Sequence, residues 1–192
     1  MKDLIVRINK KLEEASQVNR LLNDYGEVIV RISGEIIKTL RRGRTVYLFG
    51  NGGSAADAQH LATELLGRFR LHNRRPLPAM ALTTNTSVLT ALANDYGYSA
   101  VFARQVMGLV KRGDIVIAIS TSGNSPNVLE GVKAARRLGA RTIGFTGRTG
   151  GKLKRFVDLC LCAPSEVTAR IQECHITVGH IICELVEDEF SG

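Results

Sequence analysis

A chain of 192 residues with 44% hydrophobic content and a mean hydropathy of +0.02 has enough apolar mass to bury one full core, and its composition excludes a disordered or low-complexity protein. Its net charge of +8 comes largely from Arg41, Arg42 and Arg44, the stretch Arg68 to Arg75, and Arg136 with Arg137; with 5% aromatic residues, no Trp and no nucleic-acid motif, these read as a solvated face or an attraction for small anions, and nucleic acid is not expected as a partner. No run reaches the roughly 18 uncharged residues of a membrane span, and Met1 to Arg7 mixes acid and base with apolar residues, so a cytoplasmic, unexported protein is expected.

From Asp3 to about Tyr25, and again from about Glu27 to Leu40, apolar residues recur at spacings of three and four, which predicts two amphipathic helices. After Gly43 the pattern changes to short apolar runs separated by helical stretches. Thr45 to Phe49, Ala79 to Leu82, Asp114 to Ile119, Arg141 to Phe145 and Val157 to Leu161 read as strands. Ala55 to Arg68, Ser87 to Asn94, Val101 to Lys111 and Pro126 to Leu138 read as the helices between them, and a last long helix is expected from about Val167 to Glu189. Strands spaced for helical crossovers make a parallel sheet with helices on both faces, so the chain is an α/β protein. No repeat or linker divides it: residues 1–43 are a helical pair, 44–166 the α/β core and 167–192 a C-terminal helix of a single domain. The terminal helices are not needed for the crossovers, and their apolar stripes suit either subunit contacts or burial against their own sheet. Cys160, Cys162, Cys174 and Cys183 fit neither a disulfide framework nor a zinc motif and read as free, mostly buried thiols.

Two strand-to-helix turns carry the chemistry. In the first, Val46-Tyr-Leu-Phe-Gly-Asn-Gly-Gly-Ser54 delivers an apolar strand into a glycine turn, with Ser54 expected to open the next helix. Unpaired N–H groups and the helix dipole favour an anion there. Four residues separate His60 from Glu64, so both lie on one helix face, a little over a turn below that cradle. In the second, Ile119-Ser120-Thr121-Ser122-Gly123-Asn124-Ser125-Pro126 places four hydroxyls at the carboxyl end of a strand, and Pro126 starts the following helix. Such a loop can surround a phosphate without a lysine. Neither a Walker lysine nor a dinucleotide-type GxGxxG with its acidic partner is present.

With these motifs the chain resembles the sugar isomerase (SIS) family and, within it, the phosphoheptose isomerases. The resemblance is carried by GNGGSAADAQHLATELLGRF from Gly50, ALANDYGY from Ala91, STSGNSPN from Ser120, GFTGRTGG from Gly144 and TARIQECHITVGH ending at His180. It implies one SIS domain with five parallel strands, and a phosphate site of Ser120, Thr121, Ser122 and Ser125. It implies sugar contacts from Asn51, Gly52, Gly53, Asn94, Asp95, Glu64 and Gln172. It implies one metal ion per subunit, usually zinc, on His60, Glu64, Gln172 and His180, with Glu64 and His180 as the acid/base residues. It further implies a homotetramer with sites at subunit interfaces. The residue before Arg170 is Ala169, where some members carry an acid, so any role of that carboxylate is not carried over to this chain.

The activity implied is an aldose–ketose isomerisation of sedoheptulose 7-phosphate to D-glycero-D-manno-heptose 7-phosphate through an enediol, the first step towards ADP-heptose for lipopolysaccharide or another surface polysaccharide. Such chemistry needs a carboxylate over C1 and C2, a role Glu64 fits, and a group that gives and takes hydroxyl protons, which suits an imidazole such as His180. By pattern alone Glu64 is equally an exposed helix carboxylate and His180 a satisfied core histidine. Gln172 and His180 stand about 80° apart around an ideal helix and about 12 Å along it, so one of them is expected either to serve a neighbouring subunit or to rely on the length of the Gln side chain. His175 and His72 have weaker claims, and Arg68 is either solvent-exposed or a stabiliser of substrate charge. The rival class is a non-catalytic SIS protein that binds sugar phosphate or associates with the replication initiator; retention of His60, Glu64 and His180 favours the enzyme.

Overall fold

The computed structural model describes residues 1–191 and holds a single five-stranded sheet, all parallel, in the order β2-β1-β3-β4-β5. The strands are β1 (Val46–Gly50), β2 (Ala79–Ala81), β3 (Ile115–Ile119), β4 (Arg141–Thr146) and β5 (Leu159–Cys162). The helices are α1 (Lys2–Arg20), α2 (Gly26–Arg41), α3 (Gly53–Leu66), α4 (Thr86–Tyr96), α5 (Val101–Leu109), α6 (Pro126–Arg137) and α7 (Thr168–Asp188). Every residue of β1 and β3 is buried, as expected of strands covered on both faces. On one face Leu48, Ile117 and Phe145 pack under α2, α3 and α7; on the other Phe49, Val116 and Ala118 pack under α5 and α6, where Phe49 stacks on Phe102 at 4.8 Å.

The first predicted helix does not run unbroken to Tyr25. It tightens into a 3₁₀ turn over Leu21–Tyr25, where Asn23 and Asp24 are weak helix formers immediately before Gly26. The two N-terminal helices also differ in use. The α2 stripe of Ile29, Ile32, Ile36 and Leu40 is buried in the core, whereas α1 buries none of its residues and leaves Leu4, Ile5, Ile8 and Leu12 exposed. Among the described residues no helix is long and apolar enough to cross a membrane.

Two features of this fold position a site. The chain leaves β1 towards β2 on one side and β3 towards β4 on the other, which opens a crevice between the carboxyl ends of β1 and β3, where Gly50 pairs with Ile119. Both glycine and serine loops rise from this point. In addition, α3 and α7 run parallel and close: Gln172 lies against Gly53, Gly179 against Leu61 and His180 against His60. A Cβ on Gly179 would sit 2.6 Å from Leu61 Cδ2, so only glycine permits this approach.

Candidate functional site

The first loop turns at Gly52, whose φ of 56° suits glycine, and α3 starts at Gly53. Ser54 is not the cap expected of it: it lies inside the first turn, buried, and α3 has no side-chain cap, the amides of Ser54, Ala55 and Ala56 donating instead to the carbonyls of Asn51 and Gly52. Gly50 is equally constrained, since a Cβ there would meet Ile119 O and Ser54 at 2.8 Å. In the second loop Ser125 precedes Pro126, yet its hydroxyl does not cap α6; Ser125 Oγ faces Ser120 Oγ at 3.1 Å. A hydroxyl pair thus stands at a helix N-terminus, an arrangement that donates to an anion. Ser122 Oγ accepts from the Asn124 amide at 3.1 Å, and Thr121 and Ser122 line a cleft of about 140 Å³ with Arg148.

Asn51 and Asn127 tie the two loops together. Asn51 Nδ2 donates to Asn127 Oδ1 at 2.9 Å and Asn127 Nδ2 donates back to Asn51 Oδ1 at 2.8 Å, while Tyr98 Oη donates to Asn51 Oδ1 at 3.2 Å. The Asn51 side chain is therefore committed to holding the crevice in register as much as to any sugar. Asn94 and Asp95, joined by a 2.9 Å hydrogen bond, are exposed at the end of α4 just before Tyr98. Asn127, a loop-to-loop partner 76 residues from Asn51, had no signal in the sequence beyond following Pro126.

Further along the α3–α7 groove three predicted residues meet. His60 Nε2 lies 3.0 Å from Glu64 Oε1 and 3.1 Å from His180 Nε2, and the donor atoms of all three lie within 4.8 Å of one another. His180 therefore meets His60 and Glu64 of its own chain, so of the two α7 residues it is Gln172 that stands away from this group. Gln172 stays at the head of α3, its amide against Gly53, about 10 Å along the helix from His60. The expected set of four ligands thus stands as a group of three with Gln172 at the crevice end. The group of three suits a cation: tetrahedral zinc with bonds of 2.0–2.1 Å holds neighbouring ligands about 3.4 Å apart, close to the two contacts His60 makes. Two imidazole nitrogens and a carboxylate oxygen turned on one another are otherwise poorly matched, because His60 can donate to only one of its two partners.

Asp57 shares the face of α3 that carries Gly53, His60 and Glu64, and no sequence motif had singled it out. It is half-buried, its Oδ2 has no hydrogen-bond partner, and burial raises its carboxyl above the ordinary range, partly offset by His60. The i, i+3 spacing to His60 was the signal available. His175 is fully buried, its Nε2 3.1 Å from the Thr146 carbonyl, and burial lowers its pKa to about 4 against the opposing pull of that hydrogen bond. It is a neutral core histidine. His72 and Arg68 are exposed.

Arg74 departs from the solvated reading of its basic stretch. Its side chain and that of Glu187 are each 1% exposed and pair at 3.0 Å, and Arg74 also donates to the carbonyls of Glu64 and Gly67. Glu187 accepts from the backbone amides of Phe69, Arg70 and Leu71. Burial favours its neutral form, but these donors and Arg74 outweigh that and hold the carboxyl at about 2. The pair anchors the C-terminal end of α3, and with it Glu64, to α7.

A parallel sheet with hydroxyl and glycine loops at its switch point and a His-Glu-His group beside it defines a sugar-phosphate isomerase architecture. Residues 13–147 match the model of the SIS domain. The phosphoheptose isomerase of Aquifex aeolicus is 53% identical over 96% of this chain and 97% of its own, and that of Aliarcobacter butzleri 48% identical over the whole of both. The structure of the phosphoheptose isomerase from Neisseria gonorrhoeae superposes with a TM-score of 0.91 at 40% identity, over 96% of this chain and 99% of that one. The chain belongs to the SIS family and, within it, to the phosphoheptose isomerases, which are aldose–ketose isomerases.

Proposed function

We propose that this protein interconverts sedoheptulose 7-phosphate and D-glycero-D-manno-heptose 7-phosphate, and that it supplies the first step towards ADP-heptose for lipopolysaccharide or a similar surface polysaccharide. The observation that carries the reading is the meeting of His60 and Glu64 on α3 with His180 on α7, all within 4.8 Å, in a groove whose head lies at the two anion loops. Ser120, Thr121, Ser122 and Ser125 hold the phosphate through hydroxyls and the α6 N-terminus. Asn51, Gly52, Gly53, Asn94, Asp95 and Gln172 orient the sugar chain. An open-chain heptulose has its reacting carbons at one end and its phosphate at the other, which suits a base on α3 set apart from the serine loop.

Glu64 moves the proton between C2 and C1. Its Oε1 faces His60, while Oε2 accepts no hydrogen bond from any described residue, so one oxygen is committed and the other is free to act as base. His180 gives and takes the hydroxyl protons as the carbonyl changes position. His60, Glu64 and His180 would hold a zinc ion, which would supply Lewis-acid polarisation of the substrate carbonyl, while Gln172 stands at the crevice end of the groove against Gly53. His60 is half-exposed and α1 presents an unburied apolar stripe, which supports a homotetramer whose subunits close over these groups in the cytoplasm.

The test is a coupled assay with sedoheptulose 7-phosphate before and after chelation and zinc restoration. Formation of the aldose that is lost on chelation and recovered with zinc supports the reading; a metal-replete protein that forms no aldose overturns it.

A further inference from the structure

Cys160 and Cys162 alternate with buried Leu159 and Leu161 along β5, so both thiols project from the same face of the sheet's edge strand. Their sulfurs lie 3.6 Å apart, each half-buried, and neither is in a disulfide. β3 and β4 separate β5 from β1, about 14 Å at ordinary strand spacing, so the pair is remote from the His60 group.

The spacing matches one kind of chemistry. Two thiolates bound to a single d¹⁰ cation through bonds of about 2.3 Å at a tetrahedral angle stand about 3.8 Å apart. The observed separation is already that of a chelate, with no movement of the strand. A disulfide instead needs the sulfurs at about 2.05 Å, and two residues of extended strand put their Cα atoms about 6.6 Å apart, at the upper end of the bridging range. The hydrogen bond from Cys160 and the charge of Lys154 lower the Cys162 thiol to about 7 against the effect of burial, while the same hydrogen bond raises Cys160. At neutral pH the pair therefore offers one thiolate and one shared proton.

We propose that Cys160 and Cys162 form a two-thiolate site for a soft, thiophilic cation of the monovalent copper type. Thiolates favour soft ions such as monovalent copper, whereas the His-Glu-His group offers nitrogen and oxygen donors, so the two sites differ in donor set. Water or a small-molecule thiol completes the coordination. Binding displaces the shared proton and leaves both sulfur and copper in their original oxidation states.

The test is anaerobic titration of the full chain with monovalent copper against a competing chromogenic chelator, followed by sulfur-to-copper charge transfer in the ultraviolet and by X-ray absorption. One equivalent per chain with two sulfur ligands is expected. That equivalent is lost in Cys160→Ser and in Cys162→Ser, and kept in Cys174→Ser, Cys183→Ser and His60→Gln. Should a serine variant misfold, the sulfur count at copper in the unmodified protein still decides the matter. The proposal is overturned by failure of the chain to compete for copper, by retention of copper in both variants, or by oxidation of the two thiols to a disulfide without retained metal.

Discussion

The approach of α3 to α7 at Gly179 should set both the stability and the activity of the site. In Gly179→Ala the new methyl carbon would lie 2.6 and 2.8 Å from the two Leu61 methyls, whereas carbon atoms in good contact sit 3.5–4.0 Å apart. Leu61 is 4% exposed, so relief of the contact needs a shift of its buried side chain or a parting of the helices by about 1 Å. Overpacking of this kind costs about 1–3 kcal/mol, and the better helix propensity of alanine returns about 1 kcal/mol, leaving a net loss of about 0–2 kcal/mol. The functional effect is larger. His180 is the next residue, and widening its 3.1 Å contact with His60 by about 1 Å should reduce turnover by about 10²-fold and weaken zinc retention. Adding Leu61→Ala removes the obstruction, so activity should return in the double variant although Leu61→Ala alone costs about 2–5 kcal/mol through its cavity. Denaturant unfolding, zinc competition and heptulose turnover read the three effects. Unchanged turnover and zinc affinity in a folded Gly179→Ala protein would refute the idea that this crossing sets the geometry of the site.

Glu64→Gln keeps the shape but removes the proton acceptor, so turnover should fall by about 10² to 10⁴ with little change in substrate affinity, as measured by isothermal titration beside steady-state kinetics. Joint replacement of Ser120, Thr121 and Ser125 by Ala should weaken sugar-phosphate binding by about 3 kcal/mol, at about 1 for each lost donor, while an unphosphorylated heptulose should bind both proteins alike. Stability should fall on acidification in two windows. His175 is held at about 4 when folded, so the unfolded chain binds the extra proton from pH 6.5 down to about 4, for a loss of about 3 kcal/mol that His175→Gln should flatten in unfolding experiments across that range. Glu187, held at about 2, contributes stability above its unfolded value that is lost from about pH 4.5 downward, and Glu187→Gln should remove that second slope.

What the sequence revealed was local. Hydrophobic period located each strand and helix to within a few residues, because β1 and β3 are continuous apolar runs and α2 and α6 carry clear stripes. The serine loop and the His60/Glu64 pair were legible because their partners are neighbours in the chain. Contacts across the sequence were not. Ser54 looked like a helix cap, but the sharp turn at Gly52 draws it into the first turn and buries it. Arg74 sat in a run that reads as surface charge, and only Glu187, 113 residues away, makes it a buried anchor. Gln172 and His180 stand eight residues apart along α7, and period alone does not say what each of them meets. That the parallel α3 offers Gly53 to one and His60 to the other depends on two glycines whose closeness to a neighbouring helix no periodicity records.

Whether Glu64, beside His60 and His180, performs heptose phosphate isomerisation is decided by following sedoheptulose 7-phosphate by nuclear magnetic resonance with zinc-supplemented unmodified protein and with Glu64→Gln. The unmodified protein should bring ketose and aldose to equilibrium, while the folded variant leaves the ketose essentially unchanged over the same period. Equal conversion by both proteins, or no aldose from the unmodified one, would contradict the account.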